Sequence, residues 1–202
     1  MLGLFDEKLL FDEGRKTFSN YDLADASLIL REQFFEKAES DRFYDILLQQ
    51  APWRQRERKM YDKMVLDPRL TAWYSNNEGN KWTPELLYIK NKVESACGIS
   101  FDSVLLNLYR DGRDSVSWHS DNEPELGPTP VIASLSLGAA RRFLLRRRDD
   151  HARKAEVTLG HGDLLLMGGR TQTFYQHALP KSARPLAERI NLTFRWIGSG
   201  SA

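Results

Sequence analysis

From residue 101 onward the chain is a succession of short apolar runs, several alternating with polar residues, separated by turn material. Eight such runs occupy residues 104–109, 116–120, 131–137, 142–145, 155–159, 163–167, 173–177 and 189–196. Strands this short, with breaks this regular, predict a sandwich or barrel. Before residue 101 the texture differs. Residues 9–11 and 16–18 flank Asp12-Glu13-Gly14, a hairpin signature. Residues 27–34 alternate like a strand. Phe35, Ala38, Phe43, Ile46 and Leu47 follow helical spacing and predict a helix over 35–50, stopped before Pro52. Residues 53–75 read as extended, mixing basic and aromatic side chains. A second helix is expected over 84–98, with Thr83 as N-cap, Pro84 in the first turn and Gly98 at the C-terminal end. The fold class is therefore mainly β (α+β): a barrel or jelly-roll core with supporting N-terminal helices.

Composition narrows the picture by exclusion. The chain has 202 residues, 41% hydrophobic and 28% charged, which excludes disorder as the main state. No apolar run approaches the ~20 residues of a membrane span. Asp6, Glu7 and Lys8 interrupt the opening MLGLFDEKLL, a poor secretory signal. Cys97 is the single cysteine, so a reducing compartment is expected: cytoplasm, or nucleus in a eukaryote. The same count excludes a zinc site built on several Cys. A net charge of +1 names no partner, and any nucleic-acid affinity must come from local patches.

Side chains alternate faces along a strand, so residues two apart share one. In 189–196, Arg189, Asn191, Thr193 and Arg195 take one face, and Ile190, Leu192, Phe194 and Trp196 the other. The simplest reading is an edge strand with its polar face in water. The alternative is a barrel strand whose polar face points inward to a ligand. Asn107 and Tyr109 share a face in the same way, as do His119 and Asp121. Of the four His, His151 sits in a charged hairpin tip and His161 between two glycines, whereas His177 ends an aromatic-bearing run.

Taken singly, none of these residues is diagnostic. Taken together, His119, Asp121 and a distant His177 supply two imidazoles and one carboxylate, the facial set of non-haem iron(II) oxygenases. Three protein groups leave two positions for a chelating 2-oxo acid and one for O₂. An inward Arg then balances the distal carboxylate of 2-oxoglutarate, in the bidentate geometry Arg provides. Arg189 and Arg195, roughly 20 Å apart along a strand at ~3.3 Å per residue, suit opposite ends of a ligand.

The motif W-H-S-D at 118–121, His177, R-x-N-x-T-x-R at 189–195, N-L-Y-R at 107–110 and S-L-S-L-G at 134–138 together resemble the AlkB family of Fe(II)/2-oxoglutarate dioxygenases. The likeness covers about residues 53–197. Residues 52–56 and 68–74 are most similar to a branch of that family that repairs DNA and demethylates RNA. The resemblance implies a double-stranded β-helix (jelly-roll) core. It implies one domain over 1–202, with hairpins, helices and a substrate lid in 1–100 and the catalytic core in 101–197. It gives iron to His119, Asp121 and His177, and the 2-oxoglutarate site to Asn107, Tyr109, Arg189, Asn191, Thr193 and Arg195. Arg189 would meet the distal carboxylate and Arg195 the end near the metal. Arg56, Tyr74 and Glu123 match positions that contact the damaged nucleotide in relatives. Asn122 departs from the family pattern, which commonly has a second Asp there.

On the substrate side, Arg54, Arg56, Arg58 and Lys59 cluster beside Trp53 and Tyr61. Such a run is a solvated surface or a phosphate-tracking lid beside stacking groups. Arg141, Arg142 and Arg146 to Arg148 form a second basic group, partly offset by Asp149 and Asp150. No apolar finger in a Gly-rich loop is evident. The resulting expectation is a monomeric enzyme that removes N-linked methyl groups from bases in single-stranded DNA or RNA. Two other readings are a dioxygenase of protein side chains or small molecules, and a non-catalytic jelly-roll binding module.

Overall fold

The computed structural model describes residues 18–21, 23–60 and 62–198. The hairpin expected over 9–18 lies outside them except for Phe18. The chain begins with β1 (Phe18–Asn20) and β2 (Ala26–Arg31), followed by helix α1 (Lys37–Gln50). A hairpin of β3 (Glu57–Met60) and β4 (Lys63–Leu66) precedes β5 (Leu70–Ser75) and helix α2 (Pro84–Cys97). Then come β6 (Ser103–Tyr109), β7 (Val116–His119), β8 (Ile132–Gly138), β9 (Arg141–Arg147), β10 (Lys154–Leu159) and β11 (Leu164–Gly169). A single helical turn, α3 (Thr171–Phe174), leads into β12 (Tyr175–Leu179), and β13 (Arg189–Arg195) closes the fold.

The strands form a major sheet in the order β1-β2-β11-β8-β13-β6-β5 and a minor sheet in the order β10-β9-β12-β7. All pairings are antiparallel, and β3-β4 stands apart as its own ribbon. Strands from before residue 101 (β1, β2 and β5) thus share a sheet with those that follow it. All eight expected strands are present. The run at 173–177 begins as α3, because Thr171 turns its hydroxyl onto the Gly168 carbonyl (2.6 Å) and Gly169 takes φ +56°. In α2 the Thr83 hydroxyl accepts the Leu86 N–H (3.2 Å) and Gly98 ends the helix at φ +65°, as its sequence predicts.

The alternation along each strand decides which face does what. Ile190, Leu192 and Phe194 of β13, with Leu106 and Leu135, pack under Phe43, Leu47, Leu86, Ile89 and Val93 of the two helices. The opposite face of the major sheet looks at the minor sheet. At the β2-β11 end that interior is apolar, built from Leu28, Leu30, Leu165 and Met167 against Leu145, Val157 and Leu159. Toward β13 and β6 it turns polar. The simplest reading of 189–196 fails here: β13 lies between β6 and β8, and Arg189, Asn191 and Thr193 are buried.

Two arginine groups are structural. Arg141 is buried, and its guanidinium donates to the carbonyls of Asp111 (3.1 Å), Asp114 (2.9 Å) and Pro180 (2.8 Å). The rest of the second basic group is largely paired: Arg142 with Glu156, Arg146 with Gln176, and Arg147 with Asp25 and Asp149. Asp114 accepts from the backbone and guanidinium of Arg110, tying the loop that leads into β7. Among the described residues no helix is long and apolar enough to cross a membrane.

Candidate active site

β12 and β7 meet at the pair His177 and His119, which places the two imidazoles on one face with ring centroids 4.2 Å apart. Asp121 follows two residues beyond the end of β7. Its Oδ1 lies 3.9 Å from His119 Nε2 and its Oδ2 4.0 Å from His177 Nε2. Ligand atoms of all three fall within 4.8 Å of one another. The spacing suits one ion held between them.

The protonation states suit it as well. His119 Nδ1 is 2.8 Å from the Ser117 carbonyl, an acceptor only, so Nδ1–H donates there and Nε2 is the nitrogen turned toward Asp121. Burial pushes the His177 pKa down to about 3, so its imidazole is neutral at physiological pH. Phe143 stacks on its ring at 5.3 Å. Burial works to raise the Asp121 pKa, but Arg195 and the two His outweigh it and hold the carboxyl below its ordinary value. Arg195 donates from Nη2 to Asp121 Oδ1 at 2.9 Å, so this arginine reaches the metal-binding end of the site.

The other end is built around Arg189, only 2% exposed. Its Nη2 donates to the Ser136 hydroxyl (2.9 Å) and its guanidinium lies 5.4 Å from the Tyr109 ring centre, while its buried Nε has no hydrogen-bond partner among the described residues. Burial pushes its pKa down to about 10. A cation buried this deeply, with one donor left unpaired, is chemically suited to a carboxylate. Between the two ends, Asn191 donates to Ser134 Oγ (2.7 Å), Thr193 donates to Asn191 Oδ1 (2.9 Å), and Arg69 Nε donates to Asn107 Oδ1 (2.8 Å). The register explains the assembly: Asn107 and Tyr109 of β6 and Ser136 of β8 flank Asn191 and Arg189 on the same face. The residues present fit Fe(II) at one end and a dicarboxylate along the floor.

A cavity of about 540 Å³ opens over this floor. Arg56 and Glu123 line it. Tyr74 does not. It is 3% exposed and packs in the helix-side core, on the face of β5 that it shares with Ala72. Trp73, on the other face of β5 and opposite Leu105, is the aromatic in the cavity wall. The 52–74 likeness fixes the strand, but adjacent residues on a strand point to opposite faces. β4 brings a second correction: Met64 is 62% exposed, with Val65 and Leu66 also exposed, so the ribbon beside Arg56 presents apolar side chains that no Gly-rich loop announced. Tyr61 lies outside the described residues. Sequence reading also missed Arg69 and Gln172, whose roles depend on contacts remote in the chain.

The family model described as 2OG-Fe(II) oxygenase superfamily matches residues 27–195. The chain is 41% identical over 182 residues to the alpha-ketoglutarate-dependent dioxygenase alkB homolog 3 of Bos taurus, and 40% to that of Homo sapiens; each alignment covers 81% of this chain and 64% of the relative. It is 34% identical over 184 residues to the DNA oxidative demethylase ALKBH2 of Mus musculus, covering 81% of this chain and 77% of that protein. The chain therefore spans a little under two thirds of the length of the alkB homolog 3 relatives. Among solved structures, OsALKBH1 superposes with a TM-score of 0.64 at 16% identity, over 88% of this chain and all of the other. A prolyl hydroxylase from Trichoplax adhaerens, in complex with a hypoxia inducible factor peptide, superposes with a TM-score of 0.62 at 13% identity, over 84% and 83% of the two chains. Both likenesses bear on the fold, a jelly roll.

Proposed function

The chain belongs to the 2OG-Fe(II) oxygenase superfamily, and from that premise we propose that it removes N-linked methyl groups from nucleobases in DNA or RNA. The observation that carries the reading is the convergence, in one cavity, of the His119-Asp121-His177 set with the open guanidinium of Arg189. The relatives named above as dioxygenases and DNA oxidative demethylases support the substrate class.

When bound, Fe(II) with 2-oxoglutarate and O₂ supplies the oxidation that turns an N-methyl into a hydroxymethyl, which leaves as formaldehyde while succinate and CO₂ form. The chain supplies everything else. His119, Asp121 and His177 would hold the metal. Arg189 would take the distal carboxylate in a fork, with Tyr109 and Ser136 closing around it. Asn107, Asn191 and Thr193 would fix the body of the co-substrate, and Arg195 the metal-proximal end together with Asp121. At the mouth, the Trp73 indole would stack on the target base, the Glu123 carboxylate would accept from base N–H groups, and Arg56 would meet a phosphate. The floor is preorganised by the hydrogen bonds around Asn191 and Arg189, which is the protein's share of a cofactor-driven reaction.

A base reaches such a pocket only when unpaired or flipped, and flipping costs a few kcal/mol from a duplex. Single strands are therefore the proposed substrate form, acted on by a monomer in the cytoplasm or nucleus. Mass spectrometry tests the reading: methylated DNA and RNA oligonucleotides, single-stranded and duplex, are incubated with the protein, Fe(II), 2-oxoglutarate and ascorbate. Loss of 14 mass units from the base on single strands is expected. No demethylation of any oligonucleotide, with 2-oxoglutarate still consumed, would move the substrate class to protein or small molecule. Equal or faster repair of the duplex would assign the exposed apolar face of β4 to opening base pairs.

A further inference from the structure

The ladder between β12 and β7 ends at the His177–His119 pair, and Asp121 lies past that end. Two side-chain contacts take over where the backbone rungs stop. The Ser120 hydroxyl donates to the Tyr175 carbonyl (2.8 Å), and Gln172 Oε1 accepts the Asp121 backbone N–H (3.0 Å). Gln172 is 1% exposed and sits in α3, five residues ahead of His177. Its Nε2 donates to the Met167 sulfur at 3.6 Å, so both arms of the amide are engaged and its orientation is set. The segment that carries His177 therefore also grips the backbone of Asp121. Arg195 grips the carboxylate, and Gln172 grips the peptide that carries it.

Resting on the reading of the site given above, we infer that Gln172 is a positioning residue of the metal centre. It touches neither metal nor substrate. It replaces the missing rung and fixes the distance of the Asp121 carboxylate from both imidazoles. Partners one shell out from metal ligands govern affinity in this way, typically by ~10–100-fold.

Mn(II) alone is the probe, titrated into the metal-free protein and followed by the electron paramagnetic resonance signal of the free ion. Gln172→Leu removes the acceptor. Gln172→Asn keeps the amide but withdraws it by one methylene. Gln172→Glu keeps an acceptor oxygen at the original reach. Gln172→Leu and Gln172→Asn should raise the Mn(II) Kd about tenfold or more, whereas Gln172→Glu should stay close to wild type. Circular dichroism of the metal-free proteins establishes that each variant is folded, and if Gln172→Leu is not, Gln172→Asn carries the comparison. Wild-type Kd values in Gln172→Asn and Gln172→Leu would overturn the inference, as would an equal loss in Gln172→Glu. The site reading is judged separately: wild type that binds no Mn(II), or His119→Ala that binds it equally well, would remove the metal assignment itself.

Discussion

His119 and His177 stand directly opposite each other on neighbouring antiparallel strands, one half-exposed and the other sealed beneath Phe143. Replacing either by Ala, or Asp121 by Ala, should abolish formaldehyde release while the far-UV circular dichroism of the protein persists. His151→Ala, in the exposed turn between β9 and β10, should leave turnover intact. Substantial formaldehyde from His177→Ala would remove that histidine from the metal set.

Arg189 separates the needs of the fold from those of the chemistry. A buried cation without a carboxylate is a burden to the empty protein, and an apolar replacement is neutral or stabilising in such places. Arg189→Met should therefore keep or raise the Tm of the metal-free protein, yet lose the further rise that 2-oxoglutarate gives with Mn(II) present. Arg189→Lys keeps charge but not the fork, and should raise the apparent KM for 2-oxoglutarate by ~10-fold or more. An unchanged KM would reject the role.

Trp73 and Tyr74 are neighbours in sequence with opposite expected phenotypes. Trp73→Ala should lower kcat/KM on a methylated single strand by roughly tenfold or more, since base stacking is worth ~1–3 kcal/mol. Tyr74→Ala should act on the fold, destabilising by about 3–5 kcal/mol as a truncated core aromatic does. Urea titrations read beside kinetics distinguish the two. A Trp73→Ala enzyme of full activity would exclude stacking on that indole.

Asp114 supplies a pH dependence. Burial favours its neutral form, but the hydrogen bonds from Arg110 win and hold the pKa below its ordinary 3.8. A depressed carboxyl stabilises the fold above the unfolded-state pKa, and this contribution disappears as pH falls through the folded-state value. Asp114→Asn should cost about 1–2 kcal/mol at pH 7, the partly exposed Arg110 keeping the figure modest. The gap between variant and wild type should persist at pH 5 and narrow below 3.8. Urea midpoints at these pH values test it, and a gap that widens in acid would contradict the sign.

The strands were legible because period-two alternation survives in a two-sheet fold: Asn191 and Thr193 alternate with Leu192 and Phe194 whatever lies on either side. What alternation cannot tell is what faces the polar side. Water and a buried co-substrate floor demand the same residue types, so the central place of β13 had to come from its neighbours β6 and β8. The metal set was legible for a different reason: His161 and Asp163 repeat the H-x-D spacing of His119 and Asp121, but only the latter stands in a W-H-S-D motif that resembles a known family. Trp73 against Tyr74 turned on a one-residue choice of face. Arg142 and Arg147 read as basic charge only partly offset by Asp149 and Asp150, and folding adds carboxylate partners on β10 and near β2. Gln172 carries no local signal, since its contact with the site is a backbone N–H fifty-one positions away.

The Arg141 guanidinium gathers carbonyls from two loops that are 66 residues apart at Asp114 and Pro180. Small β-sandwiches often secure such loops with a disulfide, but Cys97 has no second cysteine to join. A cross-link made of hydrogen bonds is indifferent to electron donors. The reductants that would keep a bound iron in its ferrous state can therefore be present at any concentration without loosening the loop that delivers His119. In this chain, the scaffold and the chemistry it frames are electrochemically independent.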